Sequence, residues 1–223
     1  MWNLVLKLLD DNIMSKIKDL ALDVIKACLK ILLVVRPKKT TSNFYGKDPF
    51  NYAGNYVLDE NKLTPAEKAV LSYVQKYASK YGICPALIMA IIKHESNFNP
   101  NSIGDEGLAI GYMQVHWDAA YRAGYRSRRG KDKKYAKEDW PKDGLNPNIN
   151  IKYGVGYLKI CYKKHKNNPV YNDPLKNALS AYNLGIWPHG PDKINEKIYV
   201  EPIIKNYESY IKIAKKLNHK FSI

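Results

Sequence analysis

Apolar residues near the start of the chain recur every three or four positions, which is the spacing of one face of an α-helix. They are Ile13, Ile17, Leu20, Val24, Cys28, Ile31 and Val35. Charged residues such as Lys16, Asp19 and Lys30 interrupt the stretch too often for a membrane span, which needs ~20 mostly apolar residues. The pattern therefore predicts an amphipathic helical segment over residues 1–35 and no transmembrane span. Such a helix packs on its own domain, on a partner helix or on a membrane surface.

Residues 36–62 break this periodicity and are rich in Lys, Asn, Gly and Pro. We interpret them as a linker or as an extended wrapping segment. Their aromatic residues favour a segment that docks on a folded surface over a free coil. These are Phe44, Tyr45, Phe50 and Tyr52.

Two strong helix signals follow. Thr64, Pro65 and Glu67 form a capping-box pattern that predicts a helix to about Lys80, ended by Gly82. Pro85 begins a second helix with the sequence PALIMAIIKHES. Because this helix is apolar on nearly all sides, it is predicted to lie in the core of the domain.

The rest of the chain also indicates helices. The stretch GDEGLAIGYMQV is predicted to be a glycine-rich loop with a short helix after it, and the charged residues 126–143 an exposed loop. Helical spacing continues over 148–165, 173–182 and 202–217. Since almost no segment alternates with a period of two, residues 63–223 are predicted to form one mainly α domain with at most a small hairpin.

The composition narrows the function classes. The 223 residues carry a formal net charge of +15, which favours nucleic acid, a membrane surface or an acidic cell-wall polymer as partner. No nucleic-acid reading module is recognisable, so we predict no nucleic-acid partner. Cys28, Cys84 and Cys161 are too few and too far apart for a disulfide framework. The stretch MWNLVLKLLDD lacks the shape of a signal peptide.

The end of the Pro85 helix carries the candidate chemistry. The pair His94-Glu95 begins like a zinc-protease motif, but a second His is needed at position 98, which is Phe98. We therefore predict no metal and no cofactor. A carboxyl at a helix C-terminus is opposed by the helix dipole, and burial against an apolar helix also raises its pKa. Both effects favour a protonated Glu95 that can serve as a general acid.

Three blocks, in order, resemble the lytic transglycosylase family. The first is Glu95-Ser96 followed by Asn99-Pro100, and the second runs from Gly104 to Gln114 and is similar to the glycine loop of that family. The third joins NIKYGVGYL, from Asn150, to ALSAYNLG, from Ala178. The resemblance covers residues 64 to about 215. It implies a lysozyme-like helical domain of the goose-type or lytic transglycosylase kind, here preceded by the N-terminal amphipathic helix.

The resemblance also implies a reaction and a site. By this resemblance Glu95 is expected to be the sole catalytic acid and base, which cleaves the β-1,4 bond between N-acetylmuramic acid (MurNAc) and N-acetylglucosamine (GlcNAc) of peptidoglycan glycan strands. The muramic C6 hydroxyl closes on C1 and leaves a 1,6-anhydroMurNAc end. Substrate-binding positions carried over from the motifs are Met113, Gln114, Tyr182, Asn183 and, from the stretch YVEP, Glu201.

Two other functions stay open on these residues. One is a hydrolytic muramidase on the same fold, similar to goose-type lysozyme, and the other is a wall-binding structural component without turnover. In the favoured hypothesis the protein acts on the cell wall in the periplasm and is carried by a phage virion or a secretion machine. The helix over residues 13–35 is then expected to dock on a virion or envelope partner.

Overall fold

The computed structural model describes residues 48–54, 56–185 and 191–216, together with residue 16 and residues 21–23. Within these ranges the chain is mainly helical, which confirms the predicted fold class. The α-helices are α1 (Pro65–Tyr81), α2 (Pro85–Ser96), α3 (Trp117–Arg122), α4 (Lys133–Asp143), α5 (Pro147–His165), α6 (Pro174–Leu184) and α7 (Glu201–Lys212). The strands are β1 (Tyr56–Leu58), β2 (Ile103–Gly104), β3 (Ala109–Ile110) and β4 (Ala214–Lys216).

Little of the predicted N-terminal helix lies within the described residues. Residue 16 and residues 21–23 are helical and exposed, and the rest of the stretch 1–35 lies outside the described part. The residues from Asp48 onward that the structure describes belong to one compact unit. In the described ranges, no helix has both the length and the apolar character needed to cross a membrane.

The apolar helix α2 lies at the centre of the core, as predicted. Its residues from Pro85 to Ile92 are all buried. Helix α7 packs along α2, and α5 packs against both α1 and α6. The last turn of α2 is less buried than the rest of the helix. Its polar residues His94 and Glu95 therefore lie at the edge of the core.

The predicted start and stop of α1 are confirmed in detail. The Thr64 side chain accepts from the Glu67 backbone N–H, and the Glu67 carboxylate accepts from the Thr64 N–H at 2.7 Å. Gly82 ends the helix with a φ of 62°, a left-handed conformation that suits glycine. Glu67 is buried, and its second oxygen accepts a hydrogen bond from Tyr210 of α7. The cap thus also ties the start of α1 to the last long helix.

The prediction of an exposed loop over 126–143 is wrong in its second half, where α4 forms. Asp132 caps the helix by accepting from the Lys134 N–H. Ala136 and Trp140, four residues apart, turn one face of this charged helix into the core. The Trp140 indole is fully buried and donates to the Val115 carbonyl at 2.7 Å. Two apolar positions among many charges were too weak a periodic signal to predict this helix.

The helical pattern predicted over 202–217 is correct only as far as Lys212. After Ile213 the chain turns into β4, which pairs antiparallel with β1, so that Leu58 lies opposite Ala214. A second small sheet, β2 with β3, is the short hairpin that the sequence allowed. The β1–β4 pair joins segments far apart in sequence, and no local pattern reveals such a partner.

The described part of the 36–62 segment packs on the helices. The Phe50 ring is 3% exposed and stacks on Tyr162 with ring centroids 4.0 Å apart. The Phe50 carbonyl accepts from the Lys159 ammonium at 2.6 Å, and the Pro49 carbonyl accepts from the Cys84 N–H at 2.8 Å. Phe50 of this segment is thus packed on α5, while Phe44 and Tyr45 lie outside the described residues.

We expect Phe50→Ala to lower the free energy of unfolding by about 3 kcal/mol, since it removes a buried ring and leaves a cavity against Tyr162. Urea denaturation followed by circular dichroism measures the effect. Asn51→Ala is the matched control, because Asn51 is exposed and should change stability by less than about 0.5 kcal/mol. A Phe50→Ala protein as stable as the control would show that the segment does not belong to the folded unit.

Candidate functional site

The Glu95 carboxyl lies in the last turn of α2 and is only partly accessible to solvent. Burial is the main cause that raises its pKa from 4.5 to about 7. A hydrogen bond from the Tyr199 hydroxyl opposes this rise, and the negative charge of Asp105 adds to it. A carboxyl with a pKa near 7 holds and releases a proton at neutral pH, which is the property of a general acid–base group.

Tyr199 is the nearest partner of Glu95, and the sequence reasoning missed it. It lies in a π-helical turn, Glu196–Val200, and is 5% exposed. Burial and the Glu95 charge hold the pKa of Tyr199 well above its usual value, so that its hydroxyl stays a donor. The His94 ring meets the Tyr199 ring edge to face at 4.9 Å, and burial lowers the pKa of His94. The Tyr199 ring is therefore held in place on one side by a largely neutral imidazole.

The stretch YVEP pointed to Glu201, and the structure places Glu201 elsewhere. Glu201 is the exposed first residue of α7, and its charge helps to raise the pKa of Lys176. Residues two apart on a helical turn project to opposite sides, so Tyr199 and Glu201 cannot both face Glu95. The useful signal in this stretch was the tyrosine and not the acid. A role of Glu201 in substrate binding stays a prediction, and the structure shows no contact between Glu201 and Glu95.

Tyr182 lies near Glu95, but its hydroxyl bonds a different group. The Glu95 charge contributes to raising the pKa of Tyr182, whose first cause is burial. The Tyr182 hydroxyl donates to the Met113 carbonyl at 2.9 Å and not to the carboxylate. Tyr182 thus supports the chain segment opposite Glu95.

Met113 is fully buried, so its side chain does not reach a groove. Its N–H donates to the Asn150 side chain at 2.8 Å, and Asn150 in turn donates to the Ile110 and Gly144 carbonyls. A Cβ at Gly154 would stand 2.6 Å from the Met113 sulfur, so α5 accepts this side chain only because position 154 is glycine. Met113 therefore builds the floor behind the site.

Gln114 holds the glycine loop together. Its amide nitrogen donates to the Ser102 carbonyl at 3.0 Å and to the Gly111 carbonyl at 2.8 Å. A Cβ at Gly104 would stand 2.5 Å from the Gln114 side-chain oxygen, so a larger residue there would displace the end of this side chain. Ser96 fixes the same loop to the end of α2 by donating to the Tyr112 carbonyl at 2.8 Å. Because Ser96 directly follows Glu95 in the chain, this hydrogen bond also fixes the position of the loop relative to Glu95.

Asn183 completes the predicted set and lies exposed near the end of α6. Its side-chain oxygen accepts from the Asn195 amide at 3.0 Å, and the Asn195 oxygen accepts from the buried Ser180 hydroxyl at 3.0 Å. Ser180 also receives the Asp192 N–H at 2.9 Å. This network joins α6 to the segment that leads to Tyr199. Asn183 is accessible to a ligand, and its contact with substrate stays a prediction.

The turn that carries Asp105 is strained. Asp105 has a φ of 46° and Glu106 a φ of 53°, a left-handed conformation that costs free energy for residues other than glycine. The Asp105 carboxylate lies 2.9 Å from the His116 Nε2, and both side chains are exposed. This strained turn brings a negative charge towards Glu95. No group of three metal-ligating side chains occurs within the part of the chain that the structure describes.

We expect Tyr199→Phe to raise the pKa of Glu95 further, because the variant removes the hydrogen bond that favours the ionised carboxylate. Carbon-13 NMR of the Glu95 carboxyl, titrated against pH, measures the shift. Tyr182→Phe is the matched control, since it removes a buried hydroxyl that bonds Met113 and leaves the bond from Tyr199 intact. An unchanged titration in Tyr199→Phe would contradict the contact between these two residues.

A family model described as the transglycosylase SLT domain matches residues 72–198, which is more than half of the chain. A protein named membrane-bound lytic murein transglycosylase C from Histophilus somni (strain 2336) is 35% identical over 130 residues, covering 56% of this chain and 33% of that protein. Proteins of the same name from Serratia proteamaculans (strain 568) and Edwardsiella ictaluri (strain 93-146) are 30% and 31% identical over 140 and 139 residues, each covering 60% of this chain and 36% of the relative.

The chain spans about a third of the length of these curated relatives. The matched range contains Glu95, the glycine loop and Tyr182. Together with the mainly helical architecture around a buried central helix, the match confirms the predicted fold class. The chain belongs to the SLT transglycosylase domain family and has its lysozyme-like helical fold.

Proposed function

We propose that this protein is a peptidoglycan lytic transglycosylase in which Glu95 is the single catalytic acid and base. It cleaves the β-1,4 bond between MurNAc and GlcNAc and leaves a 1,6-anhydroMurNAc end. The observation that carries the proposal is the Glu95 carboxyl itself, with a pKa of about 7 at the end of a buried helix. Family membership and the names of the relatives support it.

A single carboxyl suffices for this reaction because the nucleophile belongs to the substrate. Protonated Glu95 donates its proton to the glycosidic oxygen as the bond to C1 breaks. The resulting carboxylate then accepts the proton of the muramic C6 hydroxyl as that oxygen bonds to C1. The hydroxyl is already beside the reacting carbon, and such proximity is worth ~7–11 kcal/mol of the barrier. Glu95 ends protonated and ready for another cycle, so no net proton is consumed.

The second carboxylate that most glycosidases use has one candidate near Glu95 within the described residues. Asp105 acts on Glu95 through its charge, but it is exposed and paired with His116. In the proposed reaction Asp105 raises the pKa of Glu95 and takes no proton from water. A hydrolytic muramidase on the same fold would need a carboxylate to activate water or to attack C1.

Glu95→Gln is expected to lower the turnover of purified sacculi by about 100-fold or more, because it removes the proton-transferring group and keeps the shape. Mass spectrometry of the released muropeptides measures both rate and chemistry, and the wild-type products should carry anhydro ends. Glu106→Gln, an exposed residue of the neighbouring turn, is the matched control and should retain activity. Wild-type products with reducing MurNAc ends would show that the reaction is hydrolysis and not transglycosylation. A Glu95→Gln protein as active as wild type would refute the role of Glu95.

Asp105→Asn separates the electrostatic role of Asp105 from a catalytic one. Removal of its negative charge lowers the pKa of Glu95, so the protonated fraction at neutral pH falls. We expect the alkaline limb of the pH profile of kcat/KM, which follows loss of the Glu95 proton above pH about 7, to move to lower pH with little change at the optimum. A loss of activity of about 100-fold at every pH would show that Asp105 itself takes part in the chemistry.

We further propose that the enzyme opens the wall locally as a component of a virus particle or a secretion machine. The net charge of +15 supports action on an anionic wall, and the amphipathic pattern of residues 13–35 supports docking on a virion or envelope partner. Proteomic detection of the chain in purified particles tests this context. Its absence from both kinds of assembly would leave free wall turnover as the role.

A further inference from the structure

A pocket lies between α1, the segment after α3 and the beginning of α5. The pocket has a volume of about 430 Å³. None of its lining residues is Glu95, Asp105, Tyr182 or Tyr199. It is therefore built from other residues than the site proposed for bond cleavage.

Positive charge dominates this pocket. Its cations are Lys76, Lys80, Arg126, Arg128 and Lys152. The one carboxylate in the lining, Asp143, already accepts a hydrogen bond from the Tyr125 hydroxyl at 2.7 Å. We refer to the pocket lined by these five cations as the basic pocket.

None of the five cations forms an ion pair with a carboxylate of the described residues. Their contacts are with neutral groups: Lys152 donates to the Tyr153 hydroxyl at 3.1 Å, and Arg126 donates to backbone carbonyls. Elsewhere the protein does pair its cations, as in Lys176–Glu196 at 2.6 Å and Arg129–Asp139 at 2.7 Å. The basic pocket thus concentrates unneutralised charge in a concavity that can accept several oxyanions at once.

We propose that the basic pocket binds the free carboxylates of the peptide stems of peptidoglycan, at a distance from the bond that is cut. The proposal rests on the proposed function, since the glycan strand that Glu95 would cut carries such stems. Each stem presents several carboxylates on a flexible peptide, which matches cations spread around one pocket. The Glu95 site and the pocket together would hold two parts of the wall at once, which raises the local concentration of substrate at Glu95.

Nucleic acid fits the pocket less well. Binding of single strands relies on exposed aromatic faces on which bases stack, whereas Tyr77 and Tyr125 of the lining are only 3% and 2% exposed and Tyr153 is half-buried. Duplex binding relies on a stripe of cations that follows many phosphates, and here five cations surround one concavity. The pocket therefore favours a compact ligand with a few separate oxyanions.

Isothermal titration of the full chain with a stem tetrapeptide, L-Ala-γ-D-Glu-meso-diaminopimelate-D-Ala, tests the proposal. We expect binding that weakens with salt, because the contacts are charged and accessible. The triple variant Lys76→Gln, Lys80→Gln, Arg128→Gln should raise the Kd by about tenfold. A triple variant with the same charge change in exposed residues outside the pocket, Lys134→Gln, Lys142→Gln and Lys205→Gln, should leave the Kd unchanged. Equal Kd values for the two variants, or no binding of the tetrapeptide to wild type, would overturn the proposal.

Activity assays keep this test separate from the proposed reaction. The pocket variant should cut glycan strands freed of their peptides as fast as wild type does and should cut intact sacculi more slowly. The proposal would also be overturned if the pocket variant cut both substrates as fast as wild type does. It would likewise be overturned if duplex DNA bound to the basic pocket more tightly than the tetrapeptide does. If wild type releases no anhydro products from any substrate, the proposed reaction fails, whatever the titration shows.

Discussion

Burial of the Glu95 carboxyl at the end of the most apolar helix is the constraint on which the site depends. Raising its pKa from 4.5 to about 7 means that ionisation costs on the order of 3 kcal/mol more than in water. This cost remains after the hydrogen bond from Tyr199 has offset part of the effect of burial, because burial is the larger effect. The fold can carry such a group because eight consecutive residues of α2 are buried and α7 covers that helix. The apolar packing of α2 therefore sets the acidity of the carboxyl that follows it.

The residues around this carboxyl divide into those that set its acidity and those that hold the walls. Tyr199 and Asp105 act on the pKa in opposite directions, one by a hydrogen bond and the other by charge. The family motifs present Gln114, Met113 and Tyr182 as substrate-binding. In the structure the Gln114 amide donates to the Ser102 carbonyl, the Met113 N–H donates to Asn150, and the Tyr182 hydroxyl donates to the Met113 carbonyl. A motif can thus mark a site because its residues build the frame of that site, and substrate binding by these residues stays a prediction.

The sequence predicted those features whose causes are local. The Thr64 cap, the helix starts at Pro65 and Pro85 and the buried α2 each follow from a few neighbouring residues, and so did the position of Glu95. Helix α4 was missed because Ala136 and Trp140 are its only buried residues and most of the others are charged or polar. Tyr199 was missed because its contact with Glu95 spans 104 residues and because a π turn sets which of Tyr199 and Glu201 faces inward. Long-range pairing and helical phase are properties of the assembled core and leave little trace in a single sequence.

The large positive charge of the chain is compatible with a high pKa of Glu95 only if no cation lies close to the Glu95 carboxyl. A cation beside the carboxyl would favour the ionised form and lower the pKa towards that of an ordinary surface acid. The structure avoids this effect, because among the charges of the described residues the one that shifts Glu95 is the negative Asp105. Five unpaired cations gather instead around the pocket between α1 and α5. If the proposed function is right, attraction to an anionic wall and the acidity of Glu95 are served by separate parts of the protein.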